Sequence, residues 1–503
     1  MSGREESGLT VGVIGAGAMG QGIAQVALTG GMNVIVHDAR QGGAQTGLET
    51  VFKRLDRLVE KERLDAPEAE AMKANAQAAN GMADFAACDV VIEAVFEDLD
   101  LKQKIFAELE TIVSEDAIIA SNKSSLLIAS IARNCSNRER IAGLHFFNPV
   151  PLMKLVEVVR GPDTSDGTIA ALTDIGTRMG RTPVVVKDAP GFLVNLGGRA
   201  YTTEGYRILH ERCASVEQVD AIMRECCGFR MGPFELADLT GMDVNYLVSQ
   251  IVYDGYNQDA RLRTSFPHKS LFEAGSFGRK TARGNYIYDE SGKVVSKTSA
   301  NHAPDAAPAT KVIVAEASDR LMAFLDEVNV HASEEDDGTS PIVAAPLGED
   351  CTAFAARTGC DFQRLVAIDL YCATVERVTL MRAPGADLAH VDAVATAIGA
   401  SGRKVSLIKD STGFVAQRIL AMVANLGCEM AQIGIAEPEQ IDLAMRLGLN
   451  YPLGPLQRAE ELGLENLLLL LQRMQNITGD DRYRPSAWLR RRATLGLPIH
   501  TPD

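Results

Sequence analysis

Hydrophobic positions along the chain fall into two alternating periods. After a polar leader, MSGREESG, a β-branched run (LTVGVI, 9–14) passes into the apolar, helix-spaced IAQVALTGG and then into a second β-type run, MNVIVHD (32–38). The alternation recurs with DVVIEAV (89–95), the helical DLKQKIFAELETIV, AIIASN (117–122) and RIAGLHFF (140–147). Strands alternating with amphipathic helices predict a mostly parallel, doubly wound sheet, the Rossmann arrangement, with ligands at the carboxyl ends of its strands. From 188 the spacing becomes three and four in TTEGYRILHERCASVEQVDAIMRECCGFRMGPFELADLTG, which predicts an all-α domain, with Ser215 opening a capped helix at SVEQVD.

The helical pattern occurs twice. A shift of 222 residues lays 188–241 over 410–463 without a gap and matches 14 of 54 positions. The matches include Gly191–Phe192 with Gly413–Phe414, Asp220 with Asp442, and Gly232–Pro233 with Gly454–Pro455. Between the copies, SGKVVSKTSANHAPDAAP (291–308) reads as a linker. The stretch 309–409 has strand-like runs (KVIVAE, SPIVAAP, LVAIDLY, TVERVTLM) but no glycine fingerprint. TVERV is similar to LVEVV and places Glu376 opposite Glu157; nothing corresponds to His145, and Gln417 stands at the position of Asn195. The expected organisation is a Rossmann domain (1–187), a helical domain (188–290), a linker (291–308), a degenerate Rossmann-like segment (309–409) and a second helical domain (410–503). A second catalytic site is not expected.

Composition narrows the function classes. At 503 residues the chain is long enough for about three domains. Its 50 Lys and Arg against 66 Asp and Glu give a net charge of −16, which argues against a nucleic-acid partner. No uncharged apolar stretch approaches the ~18 residues of a membrane span, and the leader has no apolar signal core. Nine cysteines without paired zinc-ligand spacing fit reduced thiols and a cytoplasmic location.

Chemistry begins in the first strand–turn–helix. Gly15, Gly17 and Gly20, with Ala18 and Met19 between the last two, form a Gly-x-Gly-x-x-Gly turn. Gly15 permits the tight turn, Gly17 lets the backbone approach a pyrophosphate, and Gly20 lets helix pack on strand. Asp38 closes the second strand, where a carboxylate binds the ribose hydroxyls of NAD and repels the extra phosphate of NADP; Arg40 nearby leaves NADP use open. Polar residues at later strand ends are Glu97, Lys102, Ser121, Asn122, Ser124, His145 and Asn148. His145 is one of eight histidines, and twelve residues later Glu157 interrupts an apolar β-type run. Two readings stand for the pair. One is a histidine base with a carboxylate orienter; the other is a structural histidine and an edge-strand glutamate.

The motifs GAGAMGQGIA, SNKSSL, LHFFNPVPLMKLVEVV, KDAPGFLVN and MGPFELADLTGMD, in that order, resemble the L-3-hydroxyacyl-CoA dehydrogenases of fatty-acid β-oxidation over about 10–290. The resemblance implies NAD-dependent oxidation of an L-3-hydroxyacyl-CoA to the 3-ketoacyl-CoA. It places the base on His145, its orienter on Glu157 and substrate-polarising groups on Ser124 and Asn195. Cofactor contacts fall on the glycine loop, Asp38, Glu97, Lys102 and Asn148, with Lys280 of FGRKTARGNY a further candidate. The family usually has Thr where this chain has Lys123, which either meets a negative group of substrate or cofactor or is a solvated loop lysine. The two-copy layout, with LNYPLGP and RYRPSAWLRRRATLGLP, resembles long bacterial members of phenylacetate catabolism. Those are regarded as 3-hydroxyadipyl-CoA dehydrogenases and also labelled 3-hydroxybutyryl-CoA dehydrogenases. The family also includes lambda-crystallin, a lens protein that uses the fold structurally; retention of Ser124, His145, Glu157 and Asn195 together favours an enzyme. Short members dimerise through the helical domain, so the second copy implies either a monomeric pseudo-dimer or a homo-oligomer. The basic tail around Trp488 reads as a helix closing the repeat, with CoA-phosphate binding as the alternative.

Overall fold

A computed structural model describes residues 8–124, 126–295, 298–372 and 374–503. The chain divides into two compact units, one of residues up to Leu196 with Gly434–Leu449, the other of Gly197–Ile433 with Asn450–Asp503. Among the described residues, no helix is long and apolar enough to cross a membrane.

The first unit is built on an eight-stranded sheet in the order β3-β2-β1-β4-β5-β6-β7-β8. Its strands are β1 (Thr10–Ile14), β2 (Asn33–His37), β3 (Ala76–Ala78), β4 (Val90–Glu93), β5 (Ile118–Ser121), β6 (Ile141–Phe146), β7 (Leu155–Arg160) and β8 (Thr182–Lys187). All neighbours run parallel except β6 and β7. The strand order reverses between β1 and β4, the crevice at which doubly wound sheets bind ligands. Continuous apolar strands fit a sheet covered on both faces, and Val11, Val13, Val34, Val90, Ile92 and Leu144 sit in one buried cluster with the helix Ala18–Thr29.

The second unit holds a six-stranded sheet in the order β10-β9-β11-β12-β13-β14. These strands are β9 (Lys311–Val314), β10 (His331–Ser333), β11 (Ile342–Ala344), β12 (Leu365–Ile368), β13 (Arg377–Arg382) and β14 (Lys404–Lys409). Pairing of β13 with β14 repeats that of β7 with β8, residue for residue, 222 positions later: Arg377 faces Lys404 as Leu155 faces Thr182. The antiparallel step recurs between β12 and β13. Among the described residues, nothing in this sheet corresponds to the β1 turn with its glycines. The linker is not loose where described, since His302 N donates to Val405 O (2.7 Å) and Val405 N to Asn301 Oδ1 (2.8 Å).

The register corrects one sequence correspondence. Thr379, not Glu376, takes the place of Glu157, because it pairs along β13 with Ser406 as Glu157 does along β7 with Val184. Asp369 then takes the place of His145: continuing the β12–β13 pairing sets it against Thr379, whose carbonyl accepts its N–H at 2.9 Å.

Each unit also takes one element from the other copy. In the first, Lys187 N donates to Ile435 O (2.8 Å), and the helix Pro438–Leu449 lies on β7 and β8. In the second, Lys409 N donates to Cys213 O (3.0 Å), and the helix Val216–Glu225 lies on β13. Ser215 caps that helix in a reciprocal box with Gln218, as the sequence predicts. Within the second unit the helices Arg199–His210 and Ala416–Gln432, equivalent elements of the two copies, pack on each other. Buried Glu204 there receives Arg418 (2.8 Å), Arg482 (3.1 Å) and the Tyr483 hydroxyl (2.9 Å). The tail helix Ala487–Leu495 closes the repeat, with Trp488 buried and its indole N–H on Ile499 O (2.7 Å).

Candidate active site

Two residues directly opposite in the antiparallel β6–β7 pair make the centre of the site. His145 faces Glu157, and His145 Nδ1 lies 2.6 Å from Glu157 Oε2. Glu157 is fully buried, a costly place for a carboxylate unless every lone pair is used. Its other oxygen accepts Leu193 N (3.1 Å) and Val194 N (2.8 Å). One carboxylate thus fixes the imidazole and the start of the short helix Val194–Gly197, which carries Asn195. The preceding turn places Gly191 and Phe192 at φ +77° and +48°. The imidazole packs between Phe147 and Phe192, ring centroids 4.6 and 5.7 Å away. With Nδ1 engaged, Nε2 is the nitrogen left to exchange a proton.

The end of β5 carries Ser124, whose Oγ donates to Glu97 Oε1 (2.9 Å). Asn122 Oδ1 accepts Phe146 N (2.8 Å), tying this loop to the strand of His145. Asp188 holds the far side by accepting Ile128 N and Ala129 N, both at 2.9 Å.

Beneath the loop is a carboxylate that the sequence reading missed. Glu93, at the end of β4, accepts Ser121 Oγ (2.7 Å) and Val95 N (2.7 Å) and forms an ion pair with Lys102. Its signal was available, because like Glu157 it interrupts an apolar strand. Lys102 is 1% exposed, so the structure encloses it with Glu93 instead of presenting it at the strand ends. Lys123 is 2% exposed, which rules out a solvated loop lysine. Burial pushes its pKa down to about 7, against the pull of Glu97; Lys102, Glu93 and Asp188 are its other charged neighbours.

The cofactor side fits a dinucleotide. Gly15 adopts φ +100°, where a Cβ would also meet Ala94 O at 2.7 Å, and a Cβ on Gly20 would overlap Gly15 O. Space beside Gly17 is open, and no side chain caps the helix it begins, so the first N–H groups are available to phosphate. Asp38 accepts Ala16 N (2.8 Å) and clamps Arg40 (3.0 Å), which with its backbone bonds lowers its pKa to about 2. Arg40, 74% exposed, makes this contact as a surface ion pair. Lys280 lies in the second unit, where its Nζ pairs with Asp243 at 2.5 Å.

Asn148 and Ala18 line a cavity of about 600 Å³ in the first unit. Arg54, Arg57, Lys61, Arg63 and Arg181 also border it, a concentration of cations on a chain of net charge −16. Arg181 is occupied by the carbonyls of Val150 (3.0 Å) and Met153 (2.5 Å).

Comparison with known proteins agrees with this geometry. The family model "3-hydroxyacyl-CoA dehydrogenase, NAD binding domain" matches residues 10–189, and "3-hydroxyacyl-CoA dehydrogenase, C-terminal domain" matches twice, at 191–288 and 413–498. A 3-hydroxyadipyl-CoA dehydrogenase of Escherichia coli is 34% identical over 97% of this chain and 98% of its own length. A probable 3-hydroxybutyryl-CoA dehydrogenase of Deinococcus radiodurans is 39% identical, covering 55% of this chain and 99% of its own. The crystal structure of an E. coli 3-hydroxybutyryl-CoA dehydrogenase superposes with a TM-score of 0.85 at 34% identity, over 97% of this chain and 98% of that one. A nicotinamide-dinucleotide fold, a histidine–glutamate pair at its strand ends and full-length relatedness converge: the chain belongs to the NAD-dependent 3-hydroxyacyl-CoA dehydrogenase family.

Proposed function

We propose that the chain oxidises the 3-hydroxyl of a dicarboxylic acyl thioester, 3-hydroxyadipyl-CoA, with His145 as the base. The buried 2.6 Å contact between His145 and Glu157 carries the reading. His145 Nε2 accepts the hydroxyl proton while Glu157 stabilises the imidazolium, the arrangement for general-base catalysis. Bound NAD supplies the hydride acceptor, held by the glycine turn, Asp38 and Asn148. Asn195, and Ser124 once substrate draws its one hydroxyl proton away from Glu97, direct hydrogen bonds at the reacting oxygens. Lys102 serves this site indirectly, by holding Glu93. The cations on the 600 Å³ cavity suit the phosphates of coenzyme A.

The adipyl reading is supported by the E. coli 3-hydroxyadipyl-CoA dehydrogenase, which matches both copies. A second reading, 3-hydroxybutyryl-CoA, is favoured by the name of the similar crystal structure. The sequence boundaries at 187, 290, 308 and 409 belong to the same proposal, with the second copy standing in for a second subunit through the helices Arg199–His210 and Ala416–Gln432. The test is NADH formation from the two thioesters side by side, with NADP as control. A higher kcat/KM for the adipyl thioester is expected. A butyryl preference would replace the substrate, and no turnover of either would return the chain to a structural role.

A further inference from the structure

The second copy has kept a cleft where the first has its histidine. Asp369, at the position of His145, is 2% exposed and locked in place. Its Oδ1 accepts Gln417 Nε2 (3.0 Å) and Tyr371 N (3.2 Å), while Gln417 Oε1 accepts Gly348 N (3.0 Å). The counterpart of Ser124, counted along the paired strands β11 and β12, is buried Leu347. Among the described residues, the histidine, its orienting glutamate and the serine of the first copy have no like residue at these positions.

A cavity of about 250 Å³ nonetheless opens beside this cluster, bordered by Arg320, Tyr371, Cys372, Arg458 and Glu461. The first-copy positions 222 residues before Arg320, Arg458 and Glu461 hold Asp98, Leu236 and Leu239. An acid and an apolar residue have thus given way to two guanidinium groups where the base was lost. Arg320 stacks on the Tyr371 ring, 4.5 Å from its centroid, and pairs with no carboxylate among the described residues. Among the described residues, Arg458 pairs only with Glu461, one turn along the same chain segment. Asp369 feels the charge of Arg320, but its carboxylate is hydrogen-bonded to Gln417 and Tyr371 N and forms no ion pair with either guanidinium among the described residues.

We infer that this cleft is a non-catalytic binding site for an oxyanion, a carboxylate or phosphate group, held by Arg320 and Arg458. Planar guanidinium groups hold such anions through paired hydrogen bonds, and the Tyr371 ring keeps one of them oriented. The volume falls short of the roughly 300–1,000 Å³ of a site for a whole drug-sized ligand, so it takes a compact anion or one end of a longer molecule.

Calorimetric titration of the intact chain, without nucleotide, tests this with adipate and inorganic phosphate as separate probes. Binding of at least one probe is expected, and the one that binds more tightly identifies the source of the anion. Arg320→Ala should weaken binding about tenfold or more, the loss typical of a charge-assisted contact, and Arg320→Ala with Arg458→Ala should abolish it. His145→Gln should bind like the native chain, which separates this site from the catalytic one. NADH formation by the double variant reports an intact fold. The inference is overturned if neither anion binds at millimolar concentration, or if a double variant that still turns over binds as many equivalents as the native chain; the proposed substrate would be untouched by either result.

Discussion

The two copies share their anchors and differ in their chemistry. Asp188 accepts the Ile128 and Ala129 amides, and Asp410 accepts those of Cys351 and Thr352. Gly191–Phe192 and Gly413–Phe414 make the same positive-φ turn. The exchanged bonds, Lys187 to Ile435 and Lys409 to Cys213, are counterparts at the 222-residue shift. At the site, however, His145 and Glu157 correspond to Asp369 and Thr379, and Ser124 to Leu347. Even the buried ion pair has gone: the register sets Ala315 at Glu93, and the shift sets Phe324 at Lys102. What persists are side chains that satisfy backbone groups, needed wherever the fold exists. What changed are side chains that also satisfy one another or a substrate, as Glu157 and Glu93 do beside the backbone amides they accept.

The sharpest break in the comparison is at the histidine. His145→Gln should lower kcat by about 10²–10⁴-fold, the range for a lost general base, with NAD affinity measured by fluorescence titration unchanged. Glu157→Gln should cost about 10²–10³-fold, as for a lost preorganised partner. A Glu157→Gln enzyme with native kcat would reduce the pair to a structural contact.

The ion pair offers a test in stability. Glu93→Ala alone leaves Lys102 buried without its partner and should cost about 3–5 kcal/mol in denaturant unfolding. Adding Lys102→Phe imports the second copy's solution and should restore most of that loss, since a packed apolar pair often replaces a buried salt bridge without penalty. Turnover should stay low, because the Val95 amide and Ser121 have lost their acceptor. Recovery of both stability and activity would show that the pair serves packing alone.

Much of this was legible in sequence because period and punctuation are local properties. The glycine turn, Asp38, the strand alternation and the helical repeat all follow from residues near one another in the chain. Glu157 stood out because a histidine twelve residues earlier gave it a chemical partner; Glu93 broke its strand in the same way but had no such companion. The likeness of TVERV to LVEVV pointed to Glu376, three residues from Thr379, because motif similarity carries no register and only pairing with β14 fixes it. Lys123 lies in a loop without periodicity, so nothing local foretold its burial. The crossing of the helices Val216–Glu225 and Pro438–Leu449 onto the other copy's sheet was likewise invisible, since an amphipathic pattern names a buried face and not what covers it.

Lys123 sets a smaller, pH-dependent test. Burial holds its pKa near 7 in the folded chain, against 10.5 ordinarily, so between these values the unfolded chain binds more protons and stability contributed by this residue rises with pH. Below pH 7 the folded state carries the buried ammonium, whose desolvation outweighs the pull of Glu97, Glu93 and Asp188. Lys123→Met should therefore be more stable than the native chain at pH 6, the gap shrinking as pH climbs toward 10. A constant gap across a thermal-unfolding series would mean that the ammonium is well compensated by Glu97, Glu93 and Asp188.

The smallest expected effect is the most telling for the second copy. Asp369→His places an imidazole at the position of His145, but across the strands stands Thr379, which offers no carboxylate to orient it. Leu347 stands where Ser124 would donate, and the sheet has no glycine turn for a dinucleotide. Adding Thr379→Glu would supply the missing orienter and nothing more. Neither variant should gain turnover, and NAD titration should stay at one per chain. A second equivalent of NAD would mean that the lost β1 turn was dispensable and that the copies differ only by their histidine. One equivalent, with kcat unchanged, would place the loss of function in the missing cofactor turn as well as in the base, so that restoring the side chains alone leaves the second copy a scaffold.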